Sequence, residues 1–404
     1  MMKIKVGIIK EGKVPIDKRV PITPDQALEI QAKFPNVEVL VQRSDVRCFP
    51  DAAYEEKGLK MVDSMDMCDI IFGVKEVPMA QLIPGKTYFF FSHTIKKQEY
   101  NKPLLKALLE KKIKMVDYET LTDENGQRVI AFGRWAGIVG AYNAIWTYGK
   151  RYNLYHLRRA HECFDLEDLK TEFAKVKLPP IKMVVTGGGR VAKGAMEVLV
   201  GMNVRKVTPA ALLTQSFDFP VFAQLNSRDY NAHNEGKEFN RGEFYSHAEN
   251  FHSDFLKYAK VAEILIAAAF WEPKAPTLFT REDATKNDFC LRVIADITCD
   301  IEGSIPSTKR PSTIDEPVYD YDPTQDEIMP EFSEEGNISM MAVDNLPCEL
   351  PRDASMDFGN MLVKNVLPHL FSNDEFRIIQ DATITEDGKL TSRYQYLKEW
   401  VEGR

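Results

Sequence analysis

The chain has 404 residues, 44% hydrophobic and 28% charged, with a net charge of −8. This is the composition of an ordinary soluble globular protein of two or three domains. An acidic chain without a strongly basic stretch argues against nucleic acid as a partner, and the absence of any apolar run near ~20 residues argues against a membrane span. The six cysteines form no CxxC pair, so neither a zinc cluster nor a disulfide framework is expected, and no metal site is assigned.

Taken in chain order, strand and helix signals alternate from the start. "KIKVGIIK" predicts a strand that begins without the apolar core of a signal peptide or the Arg/Ser-rich look of a transit peptide, so a cytoplasmic location is expected. "TPDQALEIQAKF" predicts a helix capped at Thr23-Pro24. "VEVLVQ" and "DIIFGV" predict strands, with "AAYEEKG" a short helix before the second. "TYFFFS" reads as a strand buried on both faces, followed by the helix "PLLKALLEKKI" and the strand "KMVDY". From Trp135 to Tyr148 runs a long apolar helix that suits a connector between domains. Residues 149–180 are charged and irregular. "IKMVVTGGGRVAKGAMEVLVGM" then restarts a strand–turn–helix unit, and "AEILIAAAF" and "RVIADITCD" predict two buried strands. The acidic, turn-rich residues 313–336 read as an exposed excursion. The chain closes with the helix "GNMLVKNVLPHLF", a hairpin-like "ATITEDGKLTS" and a last helix. Alternation of this kind predicts an α/β fold with mostly parallel, Rossmann-like sheets.

The turn "VVTGGGRVAKGA" fits G-x-G-x-x-G/A at Gly187, Gly189 and Ala192. The first glycine permits the tight turn, the second admits a pyrophosphate, and the small third residue lets helix and strand pack closely. A bare match of this kind also suits a loop without a ligand; here a buried strand precedes and a helix follows, which favours a dinucleotide. Gly187, Gly188, Gly189, Arg190, Val191 and Ala192 are the expected cofactor-binding residues. The next predicted strand, "VRKVTPAALL", ends without the carboxylate that holds an NAD ribose, and Arg190, Arg205 and Lys206 are near. This favours NADP over NAD.

In open α/β sheets, ligands bind beyond the carboxyl ends of the strands. Three consecutive strands end at Lys75, at Ser92-His93-Thr94 and at Glu119. An amine, an imidazole and a carboxylate therefore converge on one edge, where Arg19, Lys96 and Arg128 can join them. Taken singly, each is better explained as a solvated charge or, for His93, a hydrogen-bonded structural histidine. Together they suit proton transfer on an anionic carbonyl compound, with arginines holding carboxylates and a crowded lysine serving as acid/base.

The motifs "DKRVPITP", "GVKEVP", "YFFFSHTIKKQ", "DYETL", "GQRVIAFGRWAGIVG", "VVTGGGRVAKGA", "ADITCDIEGSI" and "AVDNLPCELPRDAS" resemble the lysine–oxoglutarate reductase family, also called saccharopine dehydrogenase (lysine-forming). The resemblance covers nearly the whole chain and is strongest to the reductase half of bifunctional α-aminoadipic semialdehyde synthase. More distantly, the chain resembles alanine dehydrogenase and transhydrogenase. It implies two Rossmann-like domains with the active-site cleft between them: residues 1–135 with 340–404 for substrate, and 136–339 for the dinucleotide. It implies that L-lysine and 2-oxoglutarate condense to an imine, which NAD(P)H reduces to saccharopine. By the same resemblance, Lys75 and His93 are the acid/base pair, Arg19 and Arg128 bind carboxylates with Lys96 beside them, and Glu119 lies near the pair. Asp296 and Asp344 face the cofactor and the active-site cleft. The implied partners are small molecules, and a homo-oligomer is compatible with the sequence. The animal and plant enzymes continue into a second domain, and the stretch from Thr214 to Phe244 departs from the family pattern. Competing readings are an alanine- or opine-type dehydrogenase and a non-catalytic nucleotide-binding module; the presence of both Lys75 and His93 ranks the latter last.

Overall fold

In the computed structural model, which describes residues 3–403, the chain forms two units. One runs to Phe132 and resumes at Pro351; the other is Gly133–Leu350. The first unit opens with six strands: β1 (Ile4–Ile8), β2 (Val37–Gln42), β3 (Lys60–Val62), β4 (Ile70–Phe72), β5 (Thr87–Phe90) and β6 (Lys114–Asp117). All six are parallel, in the order β6-β5-β4-β1-β2-β3. The phenylalanine run explains itself here. Successive side chains of a strand point to opposite faces. Phe89 and Phe91 join Phe72 and Tyr118 in one core, while Tyr88 and Phe90 join Ile71 and Met115 in the other. A strand covered on both faces needs no polar alternation.

The helix Pro24–Lys33 starts where the sequence predicts it. Thr23 N donates to Gln26 Oε1 (2.9 Å), and Gln26 N donates to Thr23 Oγ1 (3.4 Å), a reciprocal cap. Gln26 Nε2 also donates to Met356 O and Asn360 Oδ1 (both 2.8 Å), tying this helix to Pro351–Asn365.

The second unit begins with the long helix Gly133–Arg151, buried over most of its length. Its strands are β7 (Lys182–Thr186), β8 (Arg205–Val207), β9 (Val221–Leu225), β10 (Asn231–His233), β11 (Phe251–Ser253), β12 (Ile264–Ala267), β13 (Val293–Asp296), β14 (Val318–Asp322), β15 (Glu327–Met329) and β16 (Ile338–Met341). The main sheet has the order β15-β14-β16-β13-β12-β7-β9-β8, and β10 pairs with β11 alone. The chain then returns to the first sheet with the hairpin β17 (Thr383–Glu386) and β18 (Lys389–Leu390), and β17 runs antiparallel to β6.

Three expectations are corrected. Residues 313–336 are an exposed excursion only in part: most of 323–336 is exposed, but every residue of β14 is buried, with Tyr319 and Tyr321 in the core. The acidic composition misleads because Asp320 is an internal partner, accepting from Ser339 Oγ (2.7 Å) and Ser333 N (3.0 Å) and paired with Arg151 (3.3 Å). And Arg205–Val207 is not the strand beside the glycine turn. It lies at the sheet edge, and β9 occupies that place. The second unit also extends past the expected residue 339 to Leu350, since β16 belongs to its sheet. Among the described residues, no helix is long and apolar enough to cross a membrane.

The helices Gly133–Arg151 and Arg190–Gly201 touch backbone to backbone. A Cβ on Gly137 would stand 1.9 Å from Val191 O, and one on Gly194 would stand 2.1 Å from Arg134 O. Gly137→Ala must therefore push these helices apart rather than rotate a side chain. It should destabilise the protein by about 1–3 kcal/mol or more, read by denaturant unfolding. An unchanged midpoint would show that the contact is loose.

Candidate active site

The first unit gathers two groups at the carboxyl ends of its strands. The β4–β5 ladder continues past the strand ends, with Gly73 N donating to Phe89 O (2.9 Å) and Phe91 N to Val74 O (3.0 Å). Lys75 and His93 follow directly on these two neighbouring chains. His93 has a left-handed backbone, φ +54°, and opens the 3₁₀ turn Thr94–Lys96. That conformation is uncommon for a residue with a Cβ, though histidine visits it more readily than most. It is held from below by Asp117, fully buried at the end of β6. This carboxylate accepts from Ser92 N (3.1 Å), from Glu119 N (2.8 Å) and, in a short contact, from the Ser92 hydroxyl. Burial raises Asp117 to about 6 despite these bonds.

An imidazole and two cations meet on Glu119. His93 Nδ1 lies 3.2 Å from Glu119 Oε2, while Lys96 Nζ (3.3 Å) and Arg128 Nη2 (3.5 Å) approach Oε1. Burial alone would raise Glu119, but the His93 bond and the charges of Lys96, His93 and Arg128 outweigh it and hold the carboxyl at about 2. With a carboxylate at Nδ1, the neutral ring carries its proton there and presents Nε2 as an acceptor.

The second group surrounds Lys75. Glu11, just past β1, accepts from Val74 N (2.7 Å) and Lys75 N (2.9 Å), fixing the backbone that carries the lysine. Burial and the nearby Asp17 charge push Glu11 up to about 8. Burial, with the charges of Arg19 and Lys13, lowers Lys75. Arg19 is buried, gripping Asp17 through Nε (3.0 Å) and Nη2 (2.6 Å), with its guanidinium 4.1 Å above the Phe132 ring. A substrate carboxylate reaching Arg19 meets a guanidinium already engaged on that side. Phe132 stacks on Phe358 at 4.4 Å and neighbours Phe91 at 6.1 Å, an aromatic floor under the site.

All six residues expected to serve substrate chemistry thus lie at one edge of the first sheet. Sequence reading missed Glu11, Asp17 and Asp117. The first two follow β1 as Arg19 does, so the strand-end rule could have found them. Asp117 is the one polar letter ending "KMVD".

The second unit holds the glycine turn. Gly187 has φ +94°, and a Cβ there would press on Ala268 O at 3.0 Å. At Gly189 a Cβ would meet nothing within 4 Å. The helix Arg190–Gly201 begins at that open position, and Ala192 is fully buried against the sheet. A cavity of about 890 Å³ adjoins the turn, bounded by Gly187–Val191, the residues after β9 and those after β12. Open backbone at a helix N-terminus beside a cavity of this size fits a dinucleotide. Asp296 closes β13. It is fully buried, with Oδ1 accepting from Thr298 Oγ1 (2.7 Å), Thr298 N (3.1 Å) and Cys299 N (3.3 Å), and Oδ2 from Thr308 Oγ1 (2.7 Å). Asp344 is exposed, and neither residue lines this cavity.

A parallel sheet ending in titratable groups and a second sheet with a dinucleotide-type glycine turn make the architecture of an NAD(P)-dependent dehydrogenase. The alanine dehydrogenase/PNT N-terminal domain matches residues 7–139, and the C-terminal domain matches residues 168–398. The chain belongs to the alanine dehydrogenase/PNT family, and its fold is that of an NAD(P)-binding dehydrogenase acting on small molecules. It is 31% identical to the mitochondrial alpha-aminoadipic semialdehyde synthase of Mus musculus, over 96% of this chain and 47% of that one. It is 28% identical to the alpha-aminoadipic semialdehyde synthase of Arabidopsis thaliana, over 97% and 41%. Against the saccharopine dehydrogenase [NAD(+), L-lysine-forming] of Neurospora crassa it is 25% identical, over 87% and 88%. The chain spans less than half the length of these two semialdehyde synthases. An L-alanine dehydrogenase shares the fold with a TM-score of 0.67 at 16% identity, over 98% of this chain and 99% of that one. The transhydrogenase from Sinorhizobium meliloti does so with 0.60 at 14%, over 96% and 98%.

Two pH dependences follow. Glu119 titrates lower folded than its ordinary 4.5, so its stabilising contribution is complete above pH 4.5 and lost as pH falls towards 2. Glu119→Gln should cost about 1–2 kcal/mol at pH 7, allowing for the solvent around Lys96 and Arg128, and should flatten the stability curve between pH 4.5 and 2. Denaturant titrations at several pH values check this; parallel curves for the two proteins refute it.

Glu11 has the opposite sign. Its folded pKa is raised, so the native state holds the extra proton and loses stability as pH rises from 4.5 towards 8. Glu11→Gln should remove that loss, making the variant relatively more stable at pH 8 than at pH 5. Melting temperatures at both pH values decide it, and an unchanged difference would place an ionised Glu11 in the native state.

Proposed function

We propose that this chain carries out the NAD(P)H-dependent reductive condensation of L-lysine with 2-oxoglutarate to saccharopine, a reaction at a CH–NH bond. The carrying observation is the His93–Glu119 pair with Lys75 on the neighbouring strand end, ringed by Arg19, Lys96 and Arg128. A ring of cations suits two substrates that together bear three carboxylates. Similarity to the semialdehyde synthases over 96–97% of this chain supports the choice of substrates.

The amine nitrogen of lysine adds to the keto carbon, and the keto oxygen takes a proton. Water then leaves as the nitrogen loses its protons to give the imine. His93 Nε2 is the atom suited to carry these protons, since Glu119 stabilises the imidazolium through Nδ1. Lys75, its ammonium weakened by burial and by Arg19 and Lys13, exchanges protons on the same edge. Arg19 and Arg128 orient carboxylates, and the aromatic floor of Phe91 and Phe132 limits water. The imine nitrogen takes a proton from the same acid/base groups, and the nicotinamide cofactor that the Gly187–Val191 turn would hold would supply the hydride to the imine carbon, giving the secondary amine.

We infer NADPH over NADH. The strand beside β7 is β9, and Asn226, Ser227 and Arg228 follow it. The carboxylate next in line, Asp229, is bonded to Asn226 N at 2.7 Å as a helix cap. Its other oxygen stands 4.0 Å from Arg228 Nε, and an arginine at this strand end is the pattern that accommodates a 2′-phosphate.

The full chain should oxidise NADPH with lysine plus 2-oxoglutarate. Turnover of pyruvate and ammonia instead, with none of that pair, would reject the reading. His93→Gln and Lys75→Met should each lower kcat by about 10²–10⁴-fold while NADPH still binds and the melting temperature holds. The double variant should be less impaired than the product of the singles. A variant with full turnover and a depressed melting point would mark that residue as structural.

A further inference from the structure

Between β9 and β12 the chain inserts a module that the parallel sheet does not use. β10 and β11 pair only with each other, and the helix Arg241–Ser246 lies in the connection between them. The module is braced from within. Glu243 Oε1 takes both His233 Nε2 and Asn250 Nδ2 at 3.1 Å. Phe239, Phe244 and Phe251 pack with ring centroids 5.2–5.5 Å apart. Yet Phe239, Arg241, Phe244 and Tyr245 also line the cavity beside the glycine turn, on the side where β9 ends. Tyr245 is 61% exposed, and the Arg241 guanidinium stands 5.3 Å from its ring centroid.

A rigidly braced module that presents aromatic surface to a cavity is suited to a flat partner. The cavity's charge narrows the choice. Among the described residues lining it, the charged ones are Arg190, Arg228, Arg241 and Glu272, three cations against one anion. A pyrophosphate is already served by the helix N-terminus and the turn's backbone, so the arginines on the β9 side point to a further anionic group on the adenosine half.

We propose that the Asn231–Ser253 module is an adenosine clamp: Tyr245, with Phe239 and Phe244, takes the adenine ring, and Arg241 with Arg228 receives the ribose 2′-phosphate. This rests on the NADPH reading above and assigns it to residues outside the glycine turn. Aromatic rings stack on any base, whereas a guanidinium matches a phosphate in charge and in fork geometry. The two halves of the clamp therefore fail differently when mutated.

The test uses the full chain and binding alone. Dissociation constants are measured by nucleotide fluorescence for NADPH and NADH and by calorimetry for 2′,5′-ADP and 5′-AMP. Arg241→Ala should weaken NADPH and 2′,5′-ADP by about 10–100-fold, leaving NADH and 5′-AMP nearly unchanged. Tyr245→Ala should weaken all four by about tenfold, and Tyr245→Phe should restore them at an unchanged melting temperature. Equal losses of 2′,5′-ADP and 5′-AMP in Arg241→Ala, or wild-type affinity in both Arg241→Ala and Tyr245→Ala, would overturn the clamp. Selective loss of 2′,5′-ADP in an enzyme that does not turn over lysine with 2-oxoglutarate upholds the clamp and rejects only the substrates. Turnover of that pair by an Arg241→Ala enzyme with wild-type 2′,5′-ADP affinity rejects only the clamp.

Discussion

The carboxylate of Asp117 is the contact on which the first unit's edge depends. Parallel strands all end on one side of a sheet, so the polar residues that follow them are crowded together whether or not their backbones are satisfied. Asp117 supplies what the ladder no longer can: it accepts the N–H groups of Ser92 and Glu119, the residues entering the turns after β5 and β6. Two turns distant in sequence become one piece, and the left-handed His93 sits within it, its ring 3.2 Å from Glu119. The arrangement costs something, since burial raises Asp117 to about 6. A residue at a sparsely populated φ persists only where its surroundings over-determine it, and here three hydrogen bonds to one buried carboxylate do so.

From that edge follows a division between two carboxyl groups. Glu119 is surrounded by His93, Lys96 and Arg128 and stays ionised to low pH, while Glu11, buried and beside Asp17, keeps its proton into the neutral range. Environments that push two like groups apart are how one fold holds an acid and an anion together at one pH. Glu119 can therefore anchor an imidazolium, and Glu11 can hold the Lys75 backbone without adding a full negative charge beside a lysine whose proton affinity burial lowers. Were both ionised, Lys75 would be drawn towards its ordinary, fully protonated state.

The substrate edge was legible because strand ends are a local property read with one global rule. A buried run such as "TYFFF" followed by "SHT" declares both the strand and its polar end. The carboxylates that organise the edge were harder to see, because Glu11 and Asp117 act on backbone N–H groups far away in sequence. Strand order was not legible at all. "VRKVT" follows the glycine turn's helix and looks like the ribose-reading strand, but which strand lies beside β7 is settled by packing over the whole sheet, and β9 takes that place. Likewise Asp320 and Asp322 made β14 look solvated, when a buried Asp320 is matched by Arg151 from the end of a helix in the same unit.

The two units spread their specificity differently. In the second, the glycine turn offers backbone, and its aim is set by helices that touch without side chains between them, at Gly137 and Gly194. Such a site depends on chain direction and asks little of residue identity, which is why the same fold persists in an L-alanine dehydrogenase at 16% identity. In the first, titratable side chains stand at strand ends, and a single exchange there alters charge or proton affinity. Fold alone therefore says little about substrate. Under the proposed function, the choice of substrates falls to Arg19, Lys75, His93, Lys96, Glu119 and Arg128, and the choice between cofactors to residues around the common turn.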